Sequence, residues 1–177
     1  MAKSKFWSDP TITPKRAFKF LVSLGTGERQ LPSFVCKKVT KPIFDITETP
    51  HKFLNHTFYF PGRLEWQTID LTAVDPLTPD ASAIIAEILS FSGYNVPDNE
   101  IAAQSMLNRA NSIAALGNVI IQQIGGIGGA AGADVIEQWE LKNAWVKSVK
   151  YGELSYESDD MVNIDMTLRY DFAVKTK

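Results

Sequence analysis

The side chains able to do chemistry are few. Two histidines, His51 and His56, and one cysteine, Cys36, are all the imidazole and thiol that the chain carries. A hydrolase needs a nucleophile, a base and a group that orients the base. No G-x-S-x-G elbow occurs, and Cys36, within Phe34-Val35-Cys36, reads as a buried thiol on a strand. Two histidines and one cysteine do not make a structural zinc site, which takes four ligands at characteristic spacings. Gly126 to Ala131 fits the loose G-x-G-x-x-A form of a dinucleotide fingerprint. That chemistry requires a helix to follow, so that its N-terminus meets the pyrophosphate, and an acid about 20 residues on. From Ala133 the pattern is that of a strand, and no acid falls at that spacing. No phosphate loop ending in Gly-Lys-Ser/Thr is present, and Asp159-Asp160 reads as a solvated turn. The expectation is a non-enzymatic protein with no catalytic residue, metal site or cofactor.

Composition narrows the classes further. Hydrophobic residues make up 45% and charged residues 21% of the 177, enough for one domain with a core. Eighteen basic and 20 acidic side chains leave a net charge of -2, without the basic excess of a phosphate-gripping protein. No run approaches the roughly 18 apolar residues of a membrane span, and Met1 to Pro10 lacks the apolar stretch of a secretory signal. A protein made in a cytoplasm and soluble until it assembles is expected.

The elements that would position these residues are mostly strands. From Val162 to Val174 the even positions are Val, Ile, Met, Leu, Tyr, Phe and Val, while polar residues hold nearly all the odd ones. Alternation of this kind gives a strand one dry and one wet face. Trp139, Leu141, Trp145, Val149 and Tyr151 share one parity before it, so a long antiparallel hairpin with a polar turn at 155–160 is expected. Phe18 to Leu24, Leu31 to Val39, Ile43 to Thr49, Phe53 to Phe60 and Arg63 to Thr72 read as further strands, with Pro61-Gly62 as a tight turn. In the last of these the apolar parity switches between Trp66 and Ile69, as at a bulge near Thr68 or where two halves pack against different neighbours. Thr78-Pro79-Asp80 opens a helix to Phe91, with the Thr78 hydroxyl as cap. A second helix is expected over Asn99 to Leu116, ended by Gly117. A mobile loop is expected over Asn118 to Ala133. The sum is a mainly β chain, a sandwich or barrel of about seven strands with a helical insertion.

Order and spacing along the chain resemble a known family. Phe34-Val35-Cys36-Lys37-Lys38-Val39 followed by Lys41-Pro42, the hairpin region Phe53 to Asp75 with Trp66, and the closing block are similar to the tail-tube proteins of contractile-tailed phages. That block runs from Leu141 and Trp145 through Gly152-Glu153-Leu154 to Leu168-Arg169-Tyr170-Asp171-Phe172. The family shares its fold with pyocin and type VI secretion tubes. The resemblance implies a virion tail-tube subunit forming stacked homo-hexameric rings that conduct DNA, with sheath, baseplate, terminator and tape-measure proteins as partners. It also makes the whole of 1–177 one tube-like domain, with a helical and glycine-rich insertion at about 93–133. A tube initiator or baseplate component, a pyocin or type VI tube, and a ligand-binding β-barrel are the alternatives.

Two residue sets follow. Asp45, Glu48, Glu65, Asp70 and Asp165 are candidate lumen-facing acids, because a channel that neutralised phosphates would hold its DNA. Trp66, Trp139, Trp145, Tyr170 and Phe172 are candidate core or interface aromatics rather than a base-stacking platform, which would need cations around it.

Overall fold

Strand formation follows the alternation, but the long amphipathic stretches break where they change sheets. The computed structural model describes residues 14–25, 27–100, 102–127, 133–157 and 159–177. Among them ten strands form rather than seven. In chain order the elements are β1 (Phe20–Ser23), β2 (Cys36–Val39), β3 (Phe44–Phe53), β4 (His56–Trp66), β5 (Ile69–Val74), α1 (Ala81–Phe91), α2 (Arg109–Leu116), β6 (Val119–Ile127), β7 (Ala133–Lys142), β8 (Trp145–Lys150), β9 (Asn163–Arg169) and β10 (Phe172–Lys175). Two four-stranded antiparallel sheets, ordered β1-β6-β7-β10 and β2-β5-β9-β8, face each other, and β3 pairs only with β4. Neither sheet closes on itself, so the architecture is a sandwich and not a barrel.

The C-terminal hairpin is present as a bent ribbon. Its outer half, β8 with β9, belongs to the second sheet, and its inner half, β7 with β10, belongs to the first. The bend falls at Asn143, whose φ of 56° suits an asparagine. Its side-chain amide donates to Asp171 Oδ2 at 2.7 Å, and the Asp171 N–H donates to the Lys142 carbonyl at 3.0 Å. Ile164, Met166, Leu168 and Tyr170 point inward as the alternation requires. Beyond the bend the parity changes: Ala173 packs on the core while Phe172 and Val174 are exposed, contrary to their expected place in it.

Val22, Ile121 and Leu141 from one sheet meet Ile69, Leu71, Met166 and Leu168 from the other, and Ile85, Ile88 and Leu116 of the helices join the same cluster. Each such side chain contributes about 1.5–3 kcal/mol on burial. Cys36 lies in this core, and burial pushes its thiol up to about 11.

Several expected boundaries move for identifiable reasons. Pro61-Gly62 lies inside β4, and the hairpin turns instead at Leu54-Asn55, with Leu54 at φ 52°. Arg63 to Thr72 is interrupted at Gln67-Thr68, its halves pairing with β3 on one side and with β2 and β9 on the other. Leu31 to Val39 is broken: Leu31 makes a single antiparallel bridge with Leu24, and the strand proper starts at Cys36 after a 3₁₀ turn over Ser33–Val35. Helix α1 starts at Ala81 because Asp80 is its cap, accepting the Ala83 N–H at 3.0 Å. Asp75 Oδ1 takes the N–H groups of Ala81 and Ser82 at 3.2 and 3.3 Å, so the Thr78 hydroxyl is not needed. The second helix is shorter than expected because Asn108 caps it at Arg109. Ahead of that cap, the Asn108 N–H donates to the Ser92 carbonyl at 3.2 Å and Ser105 Oγ accepts the Asn95 N–H, so residues 105–108 bond sideways.

The expected loop after Gly117 is largely a strand. Val119, Ile121 and Gln123 of β6 point inward with Ile120 and Gln122 outward, and β6 pairs with β1 on one side and β7 on the other. Segment 93–133 therefore supplies a central strand and core residues Ala115, Leu116, Val119 and Ile121 as well as its helix. Gly126 and Ile127 end that strand, and the chain resumes as β7 rather than as a helix. Gly128 to Ala131, the rest of the dinucleotide-like run, lie outside the described residues.

Candidate assembly surfaces

The two-stranded ribbon of β3 and β4 projects from the sandwich, and every residue from Phe44 to Glu65 within its strands is exposed. Its root is held by Trp66, whose ring lies 5.5 Å from Phe44 and 6.0 Å from Tyr170. The Gln67 N–H donates to the Ile43 carbonyl at 2.9 Å. Tyr170 is buried, which pushes its phenol up, and its hydroxyl has no well-formed hydrogen bond although the Ile43 backbone lies near it.

A register shift between Ile46 and Glu48 divides the ribbon. At that point Thr47 Oγ1 accepts the Arg63 N–H at 2.8 Å, and a Cβ on Gly62 would stand 2.4 Å from Thr47 Oγ1. Glycine is required by this close approach. The cross-strand pairs define two faces. One presents Phe44 with Trp66, Ile46 with Leu64, and Pro50 with Tyr59. The other places Asp45 opposite Glu65 at the root, then Thr49 opposite Phe60, His51 opposite Phe58 and Phe53 opposite His56 at the tip. The ribbon thus exposes apolar groups on both faces, which a lone hairpin in water does not stabilise. Sequence reasoning missed this surface. Its signal was Phe58-Tyr59-Phe60, three consecutive aromatics that a strand must send to both sides.

A second surface is the groove between the helices and β8, a cavity of about 920 Å³. Ile88, Leu89, Leu107, Val146 and Tyr151 make much of its apolar lining, and Arg109, Lys147 and Arg169 stand at it as cations. Arg109 is bound to Asp171 at 2.6 Å. Trp145, one of the candidate aromatics, lines this groove half-buried.

The remaining candidates are scattered. Asp45, Glu48 and Glu65 lie on the ribbon, with Gln67 Nε2 donating to Asp45 at 2.8 Å. Asp70 and Asp165 lie on the outer face of the second sheet, bound by the hydroxyls of Thr167 at 2.9 Å and Thr72 at 2.6 Å. The row across that face runs Lys38, Thr72, Asp165, Lys150, so the acids sit among cations rather than forming an acidic stripe. Of the aromatics, Trp66 and Trp139 pack partly buried on the core, Tyr170 is within it, and Phe172 is exposed.

Trp139 also belongs to an ionic cluster on β6 and β7, the two central strands of the first sheet. Glu137 accepts from Lys15, from Trp139 Nε1 at 2.6 Å and from Lys41 Nζ at 3.0 Å. These donors, Lys15 foremost, hold its carboxyl down at about 2. Lys41 also donates to Gln123 Oε1 at 2.7 Å, so every charge here has a partner and the cluster reads as a clasp, not a reactive centre. His51 and His56 both sit exposed near the ribbon tip. Among the described residues, no three His, Cys, Asp or Glu side chains converge as metal ligands, and no helix is long and apolar enough to cross a membrane.

Comparison with solved structures finds this fold elsewhere. A chain in the cryo-EM structure of the PVC sheath/tube terminator in its extended state, from an extracellular contractile injection system, matches with a TM-score of 0.66 at 16% identity, over 94% of this chain and 99% of that one. A chain in the anti-feeding prophage tube-terminating cap matches with a TM-score of 0.65 at 16% identity, over 100% and 99%. The SPP1 tail tube matches with a TM-score of 0.52 at 9% identity, over 92% and 78%. No family model and no curated protein matches the sequence. The fold expected from the tail-tube resemblance is the fold that the chain has.

Proposed function

We propose that this chain is a structural subunit of the tube of a contractile tail or contractile injection system, assembling with copies of itself into stacked hexameric rings. The observation that carries this reading is the ribbon, a fully exposed pair of strands with aromatic groups on both faces, standing on a sandwich whose sheets keep open edges. Open edges invite pairing, and closure into a ring satisfies them. The fold is shared with chains from a sheath/tube terminator and a tube-terminating cap, which favours the same reading and keeps a tube-end role as the second one. Sheath, baseplate, terminator and tape-measure proteins are the partners that such a role entails. A phage tail, assembled in the host cytoplasm, is the setting in which the lumen would conduct DNA. Asp70 and Asp165 are the acids best placed to line a sheet-built lumen, since the other three stand on the ribbon.

Negative-stain microscopy of the purified protein tests the reading, beside a variant whose residues 45–65 are replaced by a short Gly-Ser turn, which keeps Trp66 on the core. The intact chain should give hollow rings or tubes, and the shortened one should stay solitary with its core intact. An intact chain that remains solitary at high concentration, with and without a baseplate template, sinks the proposal.

A further inference from the structure

The ribbon tip carries both histidines of the chain, and on one face. His51 stands opposite Phe58 and Phe53 opposite His56, so the two imidazoles are diagonal neighbours. Thr49 opposite Phe60 continues that face toward the root, and the His51 ring meets Phe60 edge-on with centroids 6.5 Å apart. Phe53, Phe58 and Phe60 are each exposed by more than half, and both histidines are exposed. From Thr49 to Phe60 this face holds no other ionisable side chain. Lys52 and Tyr59 lie on the opposite face, and Asp45, Glu48, Arg63 and Glu65 follow toward the root. Both strands are exposed up to Glu65, so the charged groups around the imidazoles are the ribbon's own.

Histidine is the side chain whose charge changes between pH 5 and 8. With both imidazoles neutral, the face is uncharged and mostly aromatic, a surface that a partner can cover. With both protonated, it holds two positive charges on diagonal positions roughly 7–8 Å apart, and Lys52 adds a third from the other face. Covering an imidazolium with apolar surface takes it out of water without a counter-charge, and the contact must offset that loss. Acid therefore favours the uncovered ribbon. We propose that this face is an acid-released contact: neutral His51 and His56 allow it to be covered near neutral pH, and their protonation uncovers it. The inference rests on the reading of the ribbon as a surface covered when copies of the chain assemble, and goes beyond it by making that cover depend on pH. A contact that prefers neutral imidazoles is fully present above the range in which free histidine titrates, and is lost as pH falls through it.

Analytical ultracentrifugation from pH 8 to pH 5 at fixed salt tests it, with circular dichroism at each pH to check the fold. The Glu137 carboxyl, held at about 2, stays charged across that window. For two protons that only the free chain can hold, the association constant of the native chain should fall by about 60-fold between pH 6 and pH 5. His51→Gln and His56→Gln should each reduce that fall to about eightfold. The double variant should abolish it while still assembling at pH 8. A second measurement needs no variant: dissociation of the native chain at pH 5 should take up about two protons per chain in weakly buffered solution. Native association that is constant from pH 8 to pH 5, a double variant that loses association as steeply as the native chain, or proton uptake near zero overturns the switch and leaves the ring reading standing. A native chain that stays solitary even at pH 8 removes the ring reading, and the switch with it.

Discussion

Glu137 shows how one residue ties a strand to two distant parts of the chain. It sits on β7 and binds Lys15 before β1 and Lys41 after β2. Its folded carboxyl, at about 2, lies below its ordinary value of 4.5. A depressed acid stabilises the fold fully above the unfolded value, and the gain disappears as pH falls through the folded one. Glu137→Gln should therefore lower stability at pH 7 by about 1.5–3 kcal/mol, the range for hydrogen bonds to a charge. Urea melts of both proteins should converge as pH drops from about 4.5 toward 2, and a gap that persists at the acid end would refute the assignment. Tyr170 gives the opposite case. Its buried hydroxyl lacks a good partner, so Tyr170→Phe should leave stability unchanged or raise it by about 1 kcal/mol in the same melts. A loss of more than about 1 kcal/mol would show that the Ile43 N–H is a true donor to that hydroxyl.

At the scale of elements, alternation was legible and sheet membership was not. The even-numbered positions from Ile164 to Tyr170 face inward as read, because period-two patterning has one solution when a single face is dry. Nothing local marks the bend at Asn143 and Asp171, where the same hairpin changes sheets. Val119 to Ile127 was obscured by the glycines within and after its end, and its strand state depends on β1 and β7 arriving from both sides. Pro61-Gly62 misled for a definite reason. In a two-stranded ribbon a proline can turn its missing donor away from the partner, and the glycine serves a close approach to Thr47 rather than a turn. Gly62→Val should accordingly disturb the ribbon alone. The melting transition of the core should move by less than about 1 kcal/mol, while chymotrypsin should cut faster between residues 44 and 66 when fragments are followed by mass spectrometry. Unchanged cleavage would mean that the bulge accommodates the side chain.

For the whole molecule, the candidate residues lie in different places. Trp66, Trp139 and Tyr170 pack on or within the core, Trp145 lines the groove half-buried, and Phe172 is exposed where the strand changes parity. Two of the five acids, Asp70 and Asp165, are held by threonine hydroxyls, and a wet face alone does not say which acids meet a lumen. The assembly surfaces escaped the sequence because exposure of an aromatic run is a property of the fold. The bent C-terminal ribbon has one more consequence. Because β7–β8 and β9–β10 each run from one layer into the other, neither layer can slide past its neighbour without breaking strand pairing across the bend, where Asn143 and Asp171 are bound together. Load applied to either layer is passed along covalent chain into the opposite one, so the sandwich is built to resist shear as a single beam.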